Sequence, residues 1–584
     1  MSEQKNLIMA IVLSVVILLG WQLFFMPDPP PPSAQNQQTQ GQTPGGDASL
    51  PQGTAQIPGG STLPALTVPQ SRGQLLTTAK RIEIKTPRLS GSLRLKGARM
   101  DDLTLHDYRQ ELDPESPEVV LLNPTGSQGA FFIGLGWGGL PGVNVPGPDT
   151  DWKTADAVLT HDEPVTLTWD NGQGLRFIRQ ISVDENYMFT VTQTVENRSE
   201  TAASLQAWGR VVRHGTPEIS DFFILHEGPL GTFNEDGEDF TKKELDYSDL
   251  RDDGKVDVRS TGGWIGFSDK YWMATLIPEQ TTSFAGTFKH WVEQGVDKYQ
   301  SDFIADGVVI PAGGALNRVD RFFAGAKEVK LIAQYEEEQQ IPLFDKAIDW
   351  GWFEFLTRPF FHAIDFFNSL LGNFGLAIIC VTFVVKFIFL PLAWRSYVSM
   401  SKMKALQPEM MKLRERYPDD KMKLQQEMMA LYKKNKVNPV SGCVPILLQI
   451  PVFFALYKVL FVTIEMRHAP FYGWIQDLSA PDPTNIFELF GLIPWDTPDL
   501  LHLGIWPLLM GGSMWLLQKM NPTPPDPMQA RIMMMLPIVF TFFLARFPAG
   551  LVIYWTANNL LSILQQYAIK RRMANRKKQP AKST

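Results

Sequence analysis

The hydrophobic pattern of the chain changes character several times along its length. Residues 7–25 form an almost unbroken apolar run, close to the ~20 residues a helix needs to cross a hydrocarbon core. A secretory signal has a shorter apolar stretch and a small-residue cleavage site. This run closes on Phe24, Phe25, Met26 and Pro27, so residues 1–26 are expected to remain as an N-terminal transmembrane anchor. Residues 27–74 are mainly Pro, Gln, Gly, Thr and Ser, too poor in large apolar side chains to offset the entropy of ordering, and predict a disordered linker. Residues 75–335 then alternate apolar and polar in short segments such as 81–85, 93–96, 165–169, 187–195 and 302–310, separated by Gly, Pro, Asn and Asp. Period-two alternation at this spacing, with little helix before about Ala326, predicts an all-β domain, an antiparallel sandwich.

Five more apolar runs follow at 374–393, 443–464, 500–517, 532–547 and 549–569. With the anchor they predict a six-helix transmembrane α-bundle, five of its helices in a core over 373–569. Residues 336–372 differ. Leu343, Ile348, Trp352, Phe355, Phe360 and Ile364 recur at near-helical spacing, but Asp345, Asp349, Glu354, Arg358 and Asp365 interrupt them. That pattern predicts an amphipathic helix lying in the membrane interface. Between the second and third runs, Met400, Met403, Leu406, Met410, Leu413 and Tyr417 repeat every three or four residues up to a break at Pro418 and Asp419. Residues 395–440 therefore read as a helical hairpin.

Overall composition hides an asymmetry. The whole chain has 54 Lys and Arg against 61 Asp and Glu, but residues 351–584 carry 25 against 14, and residues 1–350 carry 29 against 47. The segment 394–442 holds 11 basic against 5 acidic residues, the tail 570–584 holds 7 and none, and 465–499 holds six acids with only Arg467. The positive-inside rule puts the hairpin and both termini in the cytoplasm, and residues 27–372 on the periplasmic side. The two cysteines, Cys380 and Cys443, lie in or beside apolar runs, which excludes a disulfide framework for the soluble domain.

Lys386 is the most informative residue. It sits in VTFVVKFIFLPLA, roughly two-thirds of the way along the second run, and a charge at helix centre costs roughly 2.5–3.5 kcal/mol. Its ammonium either snorkels to the headgroups or faces a wet groove. Thr382, one helical turn earlier, favours the groove. In the sixth run Tyr554, Asn558 and Gln565 share a face and are flanked by Trp555, Asn559, Ser562 and Gln566. Such groups either line a groove or join helices by hydrogen bonds. Gln449 lies between Pro445 and Pro451, where missing backbone donors loosen a helix. Together these residues predict a hydrated indentation with one positive charge and no buried carboxylate partner.

The hairpin's methionine stripe is either a seam between its helices or an adaptable apolar surface; Met400, Met403 and Met410 are the candidate contacts. The basic residues Lys570, Arg571 and Arg572 suit ribosomal RNA, anionic lipid or topology alone. There is no Walker loop, no HExxH and no GxSxG, so no enzyme, cofactor or metal is expected. A small-solute transporter using Lys386 is the alternative, but such proteins commonly show duplicated halves, and five runs show none. A carbohydrate-binding periplasmic module rests on fold analogy alone.

The strings VTFVVKFIFLPLAWRSYVSMSKMKALQPEM, QQEMMALYKKNKVNPVSGCVPILLQIPVFFALYKVL, APFYGWIQDLSAPDP, QKMNPTPPDPMQ and FPAGLVIYWTANNLLSILQQ closely resemble the Oxa/YidC/Alb insertase family, in its Gram-negative form. The resemblance implies a periplasmic galactose-mutarotase-like super-sandwich, a bacterial inner-membrane location, and a membrane protein insertase and chaperone. It further implies a positively charged groove for nascent membrane proteins, a substrate-receiving cytoplasmic hairpin, and cooperation with the Sec translocon, its accessory subunits and the ribosome. Lys386 stands where many members have arginine, Thr382 matches a substrate-contacting position, and Tyr554 with Trp555 stands where the family often has paired tyrosines.

Overall fold

The computed structural model describes residues 71–578 except 140–141, 220–224, 419, 436, 438–443, 490–492, 494–497, 499–501 and 522–526. The expected anchor at 7–25, nearly all of the linker, and Cys443 lie outside the described residues.

Residues Arg81–Lys85 through Ala315–Ala326 build two sheets, one of 11 strands and one of 8. Nearly all pairings are antiparallel; Ile84 and Leu159 belong to a parallel one. The alternation seen in the sequence becomes two faces, since Leu175–Val183 and Met188–Asn197 bury almost every second residue, as a strand with one covered face must. The buried faces meet through aromatics: Phe131 of the larger sheet stands edge-on to Phe267 of the smaller at 6.1 Å, and Phe288 meets Phe233 at 6.0 Å. The run at 302–310 is two strands rather than one, Val296–Ala305 and Val308–Ile310, and a short helix, Tyr247–Asp253, interrupts the strands before Ala326.

Packing is tight enough to decide single residues. A Cβ on Gly325 would lie 2.2 Å from Cγ of the buried Tyr187, and overpacking of this kind typically costs about 1–3 kcal/mol. Gly325→Ala is expected to lower the unfolding free energy of the sandwich by that amount, read from a denaturant titration, with the helical region's own transition unchanged.

Beyond the sandwich come α1 (Val329–Gln339), α2 (Glu354–Leu371), α3 (Phe374–Ile388), α4 (Leu390–Arg416), α5 (Lys421–Lys434), α6 (Val444–Val462), α7 (Ile505–Met520), α8 (Pro527–Leu544) and α9 (Ala549–Lys578). The stretch expected to be one interfacial helix over 336–372 is divided between the end of α1, a short turn and α2. Leu343 has φ +51° and Gly351 φ +71°, and Phe344–Ala347 is a single 3-10 turn. The apolar stripe is accordingly split: Ile348, Phe360 and Ile364 are buried, whereas Trp352 and Phe355 are 78% and 76% exposed.

Among the described residues the five later crossings are not seen as unbroken spans. Among the described residues no single helix is long and apolar enough to cross a membrane; α3 and α4 together qualify, bent by 62°. Proline supplies the physical reason. Pro391 is the second residue of α4, lacks an N–H, and its ring collides with the carbonyl one turn back. Pro451 and Pro537 lie inside α6 and α8. At the other end, α9 continues through the basic tail to Lys578, so Lys570, Arg571 and Arg572 are exposed helical residues rather than part of a loose tail.

The sandwich and the helices are joined by specific polar contacts. The α1 N-terminus donates its Val329 N–H to Glu465 (2.9 Å), on the segment after α6. Lys327, buried, donates to Ser268 Oγ at 2.7 Å, and burial pulls its ammonium down to about 8. Lys458 on α6 reaches Asp349, Nζ to Oδ2 2.7 Å; Asp349 Oδ1 also accepts the Gly351 N–H at 3.0 Å. A Cβ on Gly351 would sit 2.7 Å from Lys458 Cε, so the glycine leaves the lysine its path. Burial alone raises the Asp349 carboxyl, but the charge and hydrogen bond of Lys458 outweigh it and hold the group below its ordinary value.

Candidate functional site

Lys386 does not sit in mid-helix. It is two residues from the end of α3, immediately before the bend at Phe389. The last carbonyls of a helix have no intrahelical partner and carry partial negative charge, so an ammonium is tolerated here better than at a helix centre. The break thus lowers the cost that the unbroken reading assigned to this lysine.

Its neighbours come from α9. The Lys386 ammonium donates to Ser562 Oγ at 2.8 Å, and the Ser562 hydroxyl donates to the Asn558 carbonyl at 2.7 Å. Gln565 Nε2 donates to the backbone carbonyl of Lys386 at 3.1 Å, satisfying one of the acceptors that the break releases. Among the described residues no charged side chain acts on the ammonium. Its partners are neutral dipoles, which leave the charge itself available.

Lys386, Asn558 and Gln565 border a cavity of about 50 Å³ between the α3–α4 bend, α6 and α9. A polar cavity needs roughly 10–15 Å³ per water on this measure, so the space suits about three waters. Thr382, Lys386, Gln449, Tyr554, Asn558 and Gln565 all line it. Thr382 contributes less than its position suggested, because its hydroxyl is committed to the Ile378 carbonyl at 2.7 Å.

Trp555 corrects the sequence reading. It turns away from the cavity and packs on Phe453 (4.8 Å) and Phe540 (5.8 Å), because adjacent residues on a helix point about 100° apart. The same rotation splits the other polar residues of α9: Asn559 bonds Ser513 of α7 at 3.1 Å and Gln566 bonds Asn521 at 3.1 Å, joining helices. Ser562, the direct partner of Lys386, was read only as a flanking residue. The available signal was its position, one helical turn beyond Asn558 and two beyond Tyr554.

In the hairpin, Met410 (4% exposed) and Leu406 form the seam between α4 and α5 with Met403 packed against them. Those two methionines are therefore spent on packing, and Met400 is half-buried. The thioethers left open are Met411, Met422 and Met429, each more than half exposed. Among the described residues no group of His, Cys, Asp or Glu is arranged to hold a metal ion.

Comparison with known proteins gives this geometry a family. Residues 81–363 match the YidC periplasmic domain and residues 366–577 match the 60Kd inner membrane protein family. The membrane protein insertase YidC of Methylobacterium radiotolerans is 50% identical over 98% of this chain and 95% of its own. The chain belongs to the YidC membrane protein insertase family. The YidC of Rhizobium meliloti is 48% identical over 98% of this chain and 96% of its own. A crystal structure of an active YidC insertase aligns over 84% of this chain and 93% of its own, at 17% identity and a TM-score of 0.34. The two family matches meet within α2, the helix that passes from the sandwich to the helical region.

Proposed function

We propose that this chain inserts membrane proteins into the bacterial inner membrane, using the cavity around Lys386 to accept the hydrophilic flank of an arriving segment. One observation carries the reading. A lone ammonium is held by a hydroxyl, in a space sized for a few waters, at the broken end of a helix. An acidic or polar flank meets there a positive charge that no carboxylate among the described residues neutralises. Membrane burial of the segment itself drives the step, at about 0.8 kcal/mol per CH2 moved out of water.

In this reading α3 with the start of α4, and α6 to α9, lie in the bilayer. Their outward residues support it: Phe383, Phe387, Trp515, Val539, Phe543 and Leu564 are large, apolar and exposed, a surface suited to lipid. The hairpin α4–α5 and the basic end of α9 face the cytoplasm, where the open methionines and Lys570, Arg571 and Arg572 meet nascent chains, the ribosome or anionic lipid. The sandwich faces the periplasm, and α2 lies at the headgroup level. The Sec translocon and its accessory subunits are the expected partners for larger substrates.

The deciding experiment places photo-crosslinkers at Thr382, Gln449 and Tyr554, with Trp555 as the control that points elsewhere. Ribosome-bound nascent membrane chains should be captured at the first three and not at the fourth. Equal capture at Trp555, or none at the cavity, would remove the groove from the mechanism.

A further inference from the structure

The face of the larger sheet turned away from the smaller one carries a row of like charges. Phe131 meets Phe267 across the sandwich, so the even-numbered residues of Phe131–Gly139 and their cross-strand partners point outward, since successive side chains of a strand alternate. Along one line of register Arg81 stands opposite Arg94, Arg94 opposite Arg99, and Gly134 opposite Arg210, which in turn faces Asp302. Met100 is opposite Ile133, so Arg99, one step along, faces Gly134 and completes the line. The glycine has no side chain to separate its neighbours, and Arg210 lies across it, with Nε 3.8 Å from where a Gly134 Cβ would stand. Like charges directly opposite one another destabilise a sheet. Here burial, and then the charge of Arg210, pull the Arg99 guanidinium down to about 10.

Carboxylates do not account for the row. Arg81 is paired with Asp101, Asp302 accepts from Gln300 Nε2 at 2.6 Å, and Asp149, which also acts on Arg99, is paired with Lys96 at 3.1 Å. Among the described residues Arg94, Arg99 and Arg210 form no ion pair, and their one side-chain hydrogen bond runs from Arg99 to the Thr125 hydroxyl at 3.0 Å. Counting Asp101 and Asp302 against the four arginines leaves two positive charges uncompensated. Arg210 is nonetheless only 8% exposed. Its guanidinium stands 5.3 Å over the Trp208 ring, and Arg94 Nε, Arg210 Nε and Trp208 Nε1 are buried donors without a partner. Buried polar groups are ordinarily hydrogen-bonded, so these donors mark a place for an acceptor. Arg94 and Arg99 are half-buried, which leaves it a way in.

We propose that this face binds a phosphate dianion, free or as the monoester of a small alcohol, held by Arg94, Arg99 and Arg210. A phosphate monoester carries nearly two negative charges at neutral pH and three acceptor oxygens, which matches the surplus and gives each guanidinium an oxygen. A carboxylate brings one charge and two oxygens, and a phosphodiester brings one charge. Gln206 Oε1, two residues before Trp208 on the same strand, is a buried acceptor without a partner and suits a hydroxyl of the alcohol. The site lies on the sandwich and is independent of the insertion reading.

The test titrates glycerol 3-phosphate, inorganic phosphate, dimethyl phosphate and succinate into the full chain in detergent at low ionic strength, read by isothermal calorimetry. The first two should bind at one saturable site, and the last two at least about tenfold more weakly. A preference for glycerol 3-phosphate identifies an esterified ligand, and equal affinity identifies free phosphate. Arg210→Lys keeps the charge and loses the fork, and should weaken binding about tenfold; Arg99→Gln should weaken it further. Arg259→Gln, at an exposed arginine paired with Asp306 on the same sheet, should bind as wild type does. Without ligand, Arg99→Gln should leave the unfolding temperature of the sandwich unchanged or higher, because it relieves a repulsion. Phosphate should then raise that temperature in the wild type and not in the variant. No saturable binding, succinate or dimethyl phosphate binding equally well, or unchanged affinity in Arg99→Gln and Arg210→Lys overturns the proposal. A lower unfolding temperature for unliganded Arg99→Gln also overturns it, by assigning the row to stability.

Discussion

Lys386→Glu is expected to reduce insertion of substrates with acidic flanks by about a hundredfold or more. Two unit charges about 6 Å apart interact by ~2.8 kcal/mol at an effective dielectric of ~20, and each ~1.4 kcal/mol is tenfold in an equilibrium. Lys386→Ala removes the attraction without adding repulsion and should fall between wild type and the glutamate variant. Lys386→Arg keeps the charge and should retain most activity. Reconstituted proteoliposomes with protease-protection readout give the measurement, using one substrate with an acidic flank and the same substrate with that flank neutralised. The neutral flank should show little dependence on residue 386. Unchanged insertion in both the alanine and glutamate variants would mean that the ammonium serves packing at the α3–α9 contact and nothing more.

Lys458→Met should produce the largest stability loss in the region that joins sandwich and helices. Lys458 and Asp349 are 12% and 21% exposed in their side chains, so removing the ammonium leaves a mostly desolvated carboxylate with one partner fewer. About 2–3 kcal/mol is the expected cost. The double variant Asp349→Asn with Lys458→Met should recover most of it, because neither charge is then stranded. The pH dependence follows from the direction of the Asp349 shift. A carboxyl held below its unfolded value contributes stability that is present above that value and lost as pH falls through the folded one. In Lys458→Met the two largest influences opposing burial are gone while the His226 N–H and Lys242 still act, so the group moves up from its wild-type position. The deficit of the variant should therefore be full at neutral pH and shrink as pH falls toward about 4. A deficit independent of pH, measured by thermal unfolding in detergent, would assign the loss to packing of the lysine's alkyl chain.

Much of the site was legible because polar residues inside apolar runs are few. Lys386, Thr382, Gln449, Tyr554, Asn558 and Gln565 stood out as interruptions, and all six border one cavity. The misplacements share one cause, that apolar composition does not report where a helix points or stops. Trp555 is as apolar a neighbour as the cavity has, yet one residue of rotation turns it to Phe453 and Phe540. Met403 and Met410 follow the right period, but a stripe is equally suited to covering a partner helix or to staying open. Only the presence of α5 decides for the seam.

The sequence alone determined the layout: a sandwich from period-two alternation, apolar helices from long hydrophobic runs, and a lone cation among them. These are properties of local pattern, because burial of one face imposes its period on the residues that face it. The tertiary structure decided the rest. It put Lys386 at the end of a broken helix instead of two-thirds along an unbroken one, gave the ammonium Ser562 as partner, and tied Asp349 to Lys458 across 109 residues of chain. Each of these depends on which helix faces which, and that is set by packing between segments far apart in sequence, where local periodicity carries no information.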